Sequence, residues 1–266
     1  MALKKLLILG SKGMAGHIIK DYLIKKENLT IVSFNRPNFS INETNSWITQ
    51  IIDENNRGKI DYIINCIGVL VKKSEENPAN AILINSLFPH KLANLCSKLD
   101  INLIHLSTDC WNDTNIYGRS KRAGEINYPN HLTIRTSIIG PELKNGTGLF
   151  DWFMNEQEVN GFSEHYWDGI TTLELSKIIY EIIMRDNKLE GIVDLRSREK
   201  VSKYELLKKI NHIFNRKIKI NTKETEIIDK TNKNPNILSN SSLNDQIIEL
   251  KLWMEEHQEN YEKYKI

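Results

Sequence analysis

The chain has 266 residues and is 40% hydrophobic, which is enough for one substantial core with a smaller attached lobe. Its 36 basic and 34 acidic residues leave a net charge of +2, an even balance that gives no reason to expect nucleic acid or a membrane surface as a partner. No apolar run approaches the roughly 20 residues of a membrane span, Met1–Lys5 do not resemble a signal peptide, and three cysteines at unrelated spacings fit a reducing, cytoplasmic compartment.

Strands and helices are predicted to alternate through the first half of the chain. Short apolar runs predict strands at Leu6–Leu9, Thr30–Phe34, Tyr62–Ile67, Leu103–Ser107 and Leu132–Arg135. Apolar residues at helical spacing predict helices over 14–25, 43–56, 83–98 and 117–126. Nearly continuous apolar strands alternating with helices indicate an α/β fold with a parallel sheet covered on both faces.

The pattern changes after Gly140-Pro141. Residues 145–170 are rich in glycine and aromatic residues and are predicted to be a substrate-side segment without regular βα units. The elements predicted beyond it are a helix over 172–184, a strand at Ile192–Leu195, a helix over 203–214, a polar loop over 230–245 and an amphipathic helix over 244–260. Mixed charges at Glu255–Lys265 predict a solvated helix face. We therefore expect a nucleotide-binding domain over 1–140 and a substrate-binding lobe over 141–266, with about 190–200 returning to the main sheet.

Three glycines stand between the first strand and the first helix. Gly10, Gly13 and Gly16 form G-x-x-G-x-x-G, in which the first glycine permits a tight turn, the second lets backbone approach a pyrophosphate and the third lets the helix pack on the sheet. The helix N-terminus then faces the phosphate charge. Contacts to a dinucleotide are expected from Gly10, Lys12, Gly13 and Met14.

The end of the second strand indicates which dinucleotide is bound. NAD binders carry an acid there for the ribose hydroxyls, whereas this chain has Asn35 and Arg36. Together with Lys12 in the glycine turn, Arg36 places two cations near the expected 2′-phosphate. The sequence therefore predicts NADPH as the cofactor.

A tyrosine and a lysine begin the helix after the fourth predicted strand. Tyr117 and Lys121 form Y-x-x-x-K, and their spacing puts both side chains on one helix face. An ammonium beside a phenol stabilises the phenolate, so Tyr117 could give a proton to a developing alkoxide. Thr108 follows the preceding strand at the sheet edge where open α/β sheets bind ligands, and its hydroxyl could bond a substrate carbonyl.

The ordered motifs resemble a known family. They are Gly10-Ser-Lys-Gly13-Met-Ala-Gly16, Asn65-Cys66-Ile67-Gly68, the segment Asn85–Ala93, Ser107-Thr108-Asp109, Tyr117-Gly118-Arg119-Ser120-Lys121 and Arg135-Thr136-Ser137. Together they resemble the dTDP-4-dehydrorhamnose reductase-like family of extended short-chain dehydrogenase/reductases. The resemblance implies a Rossmann-type doubly wound parallel sheet with a small C-terminal substrate-binding lobe, and hydride transfer from NADPH to C4 of a ketosugar.

The resemblance also implies roles for individual residues. Thr108, Tyr117 and Lys121 take the catalytic roles given above, and Tyr117 and Lys121 are also expected to bind the cofactor, with Lys121 at the nicotinamide ribose. Cys66, Ile67 and Gly68 line the nicotinamide side, and Val69 lies at the sugar. Asn85 supports the helix beneath the site and is expected among the substrate-binding residues, as is Trp152.

The segment over 140–161 resembles one branch of this family. That branch reduces UDP-2-acetamido-2,6-dideoxy-hexuloses in N-acetyl-rhamnosamine-type pathways. Two alternatives remain open: a reductase of the dTDP-linked ketosugar, and a non-catalytic NADP-binding regulatory subunit of the same fold. A homodimer is also left open, and no Cys/His cluster predicts a metal site.

Cys110 suggests a second activity. In related epimerase-reductases a cysteine at this place acts beside the ketone. A thiol there can move a proton α to a carbonyl if a second group donates or accepts a proton on the opposite face. Lys144 is the candidate for that group, because it lies in the loop that is expected to close over the sugar.

The segment between Thr108 and Tyr117 departs from the family. Only eight residues intervene, where relatives carry a longer loop that helps to cover the sugar. Since Tyr117 and Lys121 are both retained, a trimmed but working site is the favoured interpretation, and the regulatory subunit is the alternative that this loop keeps open.

Overall fold

The computed structural model of the chain describes residues 3–144, 146–185, 189–232 and 234–264. These fall into two compact units. The first comprises Met1–Arg135 and Ile179–Val193, and the second comprises Thr136–Ile178 and Asp194–Ile266. None of the described helices has the length and apolar character needed to span a membrane.

The first unit holds five parallel strands and the helices between them. The strands are β1 (Lys4–Leu9), β2 (Leu29–Phe34), β3 (Tyr62–Asn65), β4 (Asn102–Leu106) and β5 (His131–Arg135). The helices are α1 (Met14–Leu23), α2 (Thr44–Arg57), α3 (Val71–Glu76), α4 (Pro78–Ala81), α5 (Phe88–Lys98) and α6 (Ile116–Ala123), with a π-helical segment at Ile82–Leu87 and a 3-10 turn at Asp109–Asn112. All five predicted strands are confirmed to within two residues at either end.

The order of these strands creates the place where a ligand is expected. They run β2-β1-β3-β4-β5, so the winding direction reverses between β1 and β3. Open α/β sheets bind ligands at the carboxyl ends of the strands beside such a reversal. The glycine turn follows β1 and Cys66–Gly68 follow β3, and both therefore lie at this edge.

The remaining elements occupy the second half of the chain. They are β6 (Ile138–Ile139), α7 (Leu149–Asn155), β7 (Glu158–Phe162), β8 (His165–Trp167), β9 (Ile170–Thr171), α8 (Thr172–Met184), β10 (Gly191–Arg196), β11 (Val201–Ser202), α9 (Lys203–Ile213), β12 (Lys219–Lys223), β13 (Ile228–Asp229), β14 (Ile237–Leu238), α10 (Leu243–Glu256) and α11 (Gln258–Tyr261). Both α8 and β10 begin in one unit and end in the other. The main sheet has seven strands, in the order β14-β10-β5-β4-β3-β1-β2.

The predictions for the second half were incomplete. The polar stretch over 230–245, predicted to be a loop, contains β14, which pairs with β10 in parallel. The segment over 145–170 contains α7, and its strand β7 pairs with β12, whose partner residues lie 61 positions later in the chain. Such pairings are set by partners distant in sequence, so periodicity within one segment does not reveal them.

One predicted helix is interrupted. The sequence predicted a continuous helix over 83–98, but Ile82–Leu87 are π-helical and the α-helix begins at Phe88. Pro89 has no N–H to donate to the carbonyl of Asn85 four residues earlier, and its ring would clash with that carbonyl in an α-helix. The wider π turn avoids the clash, and π segments of this kind are frequent at functional sites.

Candidate active site

The glycine turn has the close backbone approaches that its sequence predicts. Gly10 has a φ of +80°, which favours glycine, and the Gly13 amide donates to the Gly10 carbonyl at 3.0 Å. A Cβ on Gly16 would lie 2.3 Å from the Gly10 carbonyl oxygen, so a larger residue could not pack there. Within the described residues, no side chain caps the N-terminus of α1. The turn therefore leaves a compact backbone surface and a helix N-terminus suited to a phosphate group.

The residues at the end of β2 fit a cofactor that carries a 2′-phosphate. Asn35 reaches the turn, where its Nδ2 donates to Ser11 Oγ at 2.7 Å, while its Oδ1 is buried without a hydrogen-bond partner. A buried polar atom without a partner is costly, and a bound ribose or base could supply the missing donor. The Ser11 hydroxyl accepts from Asn35 and keeps its own proton for an anion. Lys12 and Arg36 are exposed cations beside this pair in the sequence.

A chain of contacts leads from the glycine turn to Lys121. A Cβ on Gly10 would lie 2.9 Å from Ile67 Cγ1 and 3.3 Å from the Cys66 carbonyl carbon. A Cβ on Gly68 would lie 3.9 Å from Lys121 Nζ. The predicted phosphate turn, the segment after β3 and the predicted catalytic lysine are therefore parts of one site within the first unit.

Asn85 joins two sides of this site. Its Oδ1 accepts from the Val69 amide at 2.8 Å, and its Nδ2 donates to the Val69 carbonyl at 3.0 Å and to Ser120 Oγ at 3.1 Å. The side chain is fully buried and its amide is occupied by protein groups. Asn85 therefore links the segment after β3 to Ser120 on α6. Its predicted roles, in supporting the helix beneath the site and in binding substrate, stay predictions.

Lys121 is buried at the carboxyl edge of the sheet. Its Nζ donates to the Leu106 carbonyl at 2.7 Å, and the residue is 5% exposed. Burial lowers the pKa of Lys121 to about 8, against the opposing effects of Glu125 and Cys66, which raise it. Tyr117 lies one turn earlier, half-buried, on a helix that the Asn115 side chain caps by accepting from the Gly118 amide at 2.7 Å. Tyr117 and Lys121 therefore lie on a helix whose first turn is fixed by this cap.

Thr108 and Cys110 share a carboxylate neighbour. Thr108 Oγ1 accepts from the Cys110 amide at 3.1 Å and donates to Asp109 Oδ1 at 3.3 Å, and Cys110 Sγ donates to the same oxygen at 3.5 Å. The Asp109 contacts were not predicted from the sequence. Burial raises the pKa of the Cys66 thiol to about 12, partly opposed by Lys121, so Cys66 is a neutral thiol at physiological pH.

The short segment before Tyr117 is packed at both ends. The Trp111 ring lies 4.1 Å from the Arg135 guanidinium carbon, and the Ile116 amide donates to Glu75 Oε1 at 2.9 Å. Asn115 also caps α6, as described above. These contacts hold the eight-residue segment at the start of the helix that carries Tyr117.

Lys144 and Trp152 belong to the second unit, where both are exposed. Trp152 lies on α7 and is 38% exposed, while Phe150 and Phe153 of that helix are buried. The Lys144 carbonyl accepts from Lys263 Nζ at 2.7 Å. The roles proposed for Lys144 and Trp152 stay predictions.

The chain end also departs from its prediction. Lys263 and Tyr264 lie within the face predicted to be solvated, but both bond the Asp151 carboxylate, and the Tyr264 hydroxyl accepts from the Glu142 amide at 2.8 Å. Only the surrounding fold turns these residues inward, so charge pattern alone did not reveal the contacts. Lys265, also in the predicted face, lies outside the described residues. Across the parts of the chain that are described, no cluster of three or more His, Cys, Asp or Glu residues could hold a metal ion.

Comparisons with known proteins identify relatives. The dTDP-4-dehydrorhamnose reductase of Mycolicibacterium smegmatis is 30% identical over 139 residues, which are 46% of this chain and 40% of that protein. The chain therefore aligns with less than half of that relative's length.

Two solved structures share the fold over nearly the whole chain. The dTDP-4-dehydrorhamnose reductase of Clostridium acetobutylicum has a TM-score of 0.76 and 20% identity, covering 94% of this chain and 99% of that one. The Bacillus anthracis dTDP-4-dehydrorhamnose reductase, solved in complex with NADP, has a TM-score of 0.77 with the same identity and coverage. A model of the family described as the RmlD substrate binding domain matches residues 4–266, and the chain therefore belongs to that family.

Proposed function

We propose that the chain is an NADPH-dependent reductase of the C4 ketone of a 4-keto-6-deoxy nucleotide sugar. The observation that carries this proposal is the continuous site of the first unit, which runs from the glycine turn through Cys66–Gly68 to Lys121. Thr108 follows β4, whose Leu106 carbonyl accepts from Lys121 Nζ, and Tyr117 lies one turn before Lys121 on α6. The family match and the names of the relatives support the same activity.

The chain's own residues divide the chemistry between them. When bound, NADPH supplies the hydride that reduces the ketone carbon. Tyr117 gives its hydroxyl proton to the ketone oxygen as negative charge develops there, and recovers a proton from solvent afterwards. The Lys121 ammonium stabilises the phenolate left behind, and the Thr108 hydroxyl turns from Asp109 to bond the ketone oxygen. Because this needs protonated Lys121, activity is expected to fall as pH rises through about 8, the lowered pKa of that buried amine.

Cofactor preference is assigned to Arg36 and Lys12. Arg36→Ala is expected to weaken NADPH binding about tenfold, because one charge-assisted contact to the 2′-phosphate is lost. NADH affinity is expected to stay unchanged, since NADH has no phosphate at that position. Titration of both dinucleotides measures the difference, with Arg57→Ala as the matched control because Arg57 is an exposed arginine at the far end of α2. Equal losses for NADPH and NADH would contradict the assignment.

Two nucleotide sugars are the candidate substrates. The resemblance over 140–161 favours UDP-2-acetamido-2,6-dideoxy-hexulose, whereas the names of the relatives favour the dTDP-linked ketosugar. The loss of NADPH absorbance with each ketosugar compares them directly through kcat/KM. Turnover of either supports the reductase, and their ratio identifies the substrate. NADPH binding without oxidation by either sugar would favour a non-catalytic regulatory subunit.

Epimerisation is a second proposed activity, favoured by the Cys110 thiol beside Asp109. If Cys110 moves the proton at C3, product made in deuterated water carries deuterium at C3, and Cys110→Ser is expected to lose that label while keeping reduction. Cys96→Ala, a thiol of the core, serves as the control. Lys144→Met tests the predicted second group and is expected to lower label incorporation. Product without deuterium at C3 from the unmodified protein would remove this activity from the account.

A further inference from the structure

Glu125 holds together three elements around the candidate site. Its carboxylate accepts from Ser107 Oγ at 2.9 Å, from Arg135 Nε at 2.7 Å and from Arg135 Nη2 at 2.6 Å. Two parallel bonds to one guanidinium fix orientation as well as charge. The Glu125 side chain is 4% exposed and that of Arg135 is 16% exposed, so solvent screens the pair weakly. The end of β4, the end of α6 and β5 therefore meet at one carboxylate.

Trp111 covers this ion pair from the short loop. Its ring lies 4.1 Å from the Arg135 guanidinium carbon and 5.4 Å from that of Arg122, within reach of cation–π attraction. The segment between Thr108 and Tyr117 thus contributes an aromatic cover for Arg135. The loop and the ion pair beneath it form one packed unit.

The bonds of Glu125 lead directly to the catalytic candidates. Ser107 immediately precedes Thr108, and Glu125 lies four residues after Lys121. Lys121 Nζ bonds the Leu106 carbonyl on the same strand end. A shift of the Glu125 carboxylate would therefore move Thr108 and Lys121 relative to each other.

The charges around Lys121 give Glu125 a second effect. The titratable groups whose charges act on this amine, or on which it acts, are Cys66 after β3, His105 from β4, and Glu125, and Tyr117 lies one turn earlier on α6. Burial, then Lys121 and His90, lower the pKa of His105 well below its usual range, so His105 is neutral there. Cys66 is a neutral thiol as well, since its pKa is raised to about 12. Glu125 is the carboxylate among the groups that favour the charged form of Lys121.

We propose that Glu125 is a positioning residue for the reduction: held by Arg135 and Ser107 and covered by Trp111, it fixes the positions of Thr108 and Lys121 relative to each other. The catalytic role of Glu125 rests on the proposed function. Its effect on the pKa of Lys121 does not, and can be measured without substrate. Removing the carboxylate also removes the charge that offsets the Arg135 cation, which disfavours the Lys121 charge further.

The decisive experiment titrates Lys121 by NMR of isotope-labelled lysine side chains, with its signal assigned by its loss in Lys121→Arg. Glu125→Gln is expected to lower the Lys121 pKa by about one unit, because a nearby opposite charge is removed. Glu125→Asp, which keeps the charge, is expected to recover most of the shift. Glu54→Gln is the matched control, since Glu54 is a largely buried carboxylate paired with Lys5 and Arg57.

Activity supplies the second measurement. In Glu125→Gln the alkaline fall of kcat is expected to move to lower pH by the same amount as the NMR titration, with the NADPH Kd changed less than twofold. An unchanged Lys121 titration in folded Glu125→Gln protein would overturn the inference. A shifted titration in a protein that reduces no ketosugar would sustain the effect on Lys121 and would count against the proposed function instead.

Substitution of Trp111 tests independently whether its ring over Arg135 matters. Trp111→Ala is expected to lower kcat severalfold, because Arg135 becomes hydrated and holds Glu125 less firmly, whereas Trp111→Phe keeps an aromatic face and most of the activity. Wild-type kcat and an unshifted Lys121 titration in Trp111→Ala would show that Trp111 does not help Arg135 to hold Glu125.

Discussion

Tyr117→Phe is expected to lower ketosugar reduction by a factor of about a hundred to ten thousand, the range that a positioned general acid contributes. The ring stays, so the packing of α6 is kept, but no proton remains at that position for the ketone oxygen. The Kd for NADPH is expected to stay within about twofold of the unmodified value, since Lys121 and the glycine turn are unchanged. Steady-state rates and a dinucleotide titration measure the two quantities separately.

Tyr128→Phe is the matched control for this substitution. Tyr128 is 44% exposed and its hydroxyl bonds His90 Nδ1 at 3.0 Å, so Tyr128→Phe removes an equivalent hydroxyl at the surface. Full activity is expected of it. If Tyr117→Phe retained turnover, the proton would have to come from another group and the assignment of Tyr117 would be wrong. If NADPH binding were lost together with turnover, the substitution would have damaged the cofactor site and not only the acid.

Gly124→Ala is expected to destabilise the first unit and to disorganise the site. A Cβ on Gly124 would lie 1.8 Å from the Asn85 carbonyl oxygen and 2.9 Å from its carbonyl carbon, and both atoms are backbone. No side-chain rotation relieves this overlap, so the end of α6 must separate from the π segment, at a cost of about 3 kcal/mol. For a chain of this size the Tm is expected to fall by roughly 6–12 °C. Thermal unfolding with and without NADPH measures it.

The expected loss of stability in Gly124→Ala is specific to the contact between Gly124 and the Asn85 carbonyl. The φ of Gly124 is −97°, so alanine suits its backbone conformation and only the space is lacking. Gly58→Ala is the control: a Cβ there would lie 3.5 Å from the flexible end of Lys5, with extended backbone, and near-wild-type stability is expected. Because Asn85 bonds Ser120 on α6, Gly124→Ala is also expected to lower kcat in the surviving folded protein. Unchanged stability would show that α6 and the π segment can move apart freely.

The parts of the site that could be predicted from sequence are those fixed by local chemistry. The glycine turn depends on the absence of a Cβ at Gly10 and Gly16, and Y-x-x-x-K depends on helical spacing. Buried parallel strands leave apolar runs that need no partner to be recognised. The described fold confirms these strands because each signal is contained within a few consecutive residues.

The parts that could not be predicted depend on partners far apart in the chain. The bonds from Glu125 to Ser107 and Arg135 join residues 18 and 10 positions apart, and no spacing rule connects them. The contact of Lys263 with Asp151 spans 112 positions. The π segment was the exception that a local signal could have revealed, since Pro89 lies inside the predicted helix over 83–98.

Transfer of deuterium from NADPH labelled at C4 of its nicotinamide tests the central claim most directly. The labelled cofactor is incubated with the dTDP-linked ketosugar and, separately, with the UDP-linked N-acetylated ketosugar, and the product is examined by NMR and mass spectrometry. The account predicts one deuterium at C4 of the sugar in the unmodified protein and none above background in Tyr117→Phe. Bound, unreacted NADPH with both ketosugars, or a product without the label at C4, would contradict it.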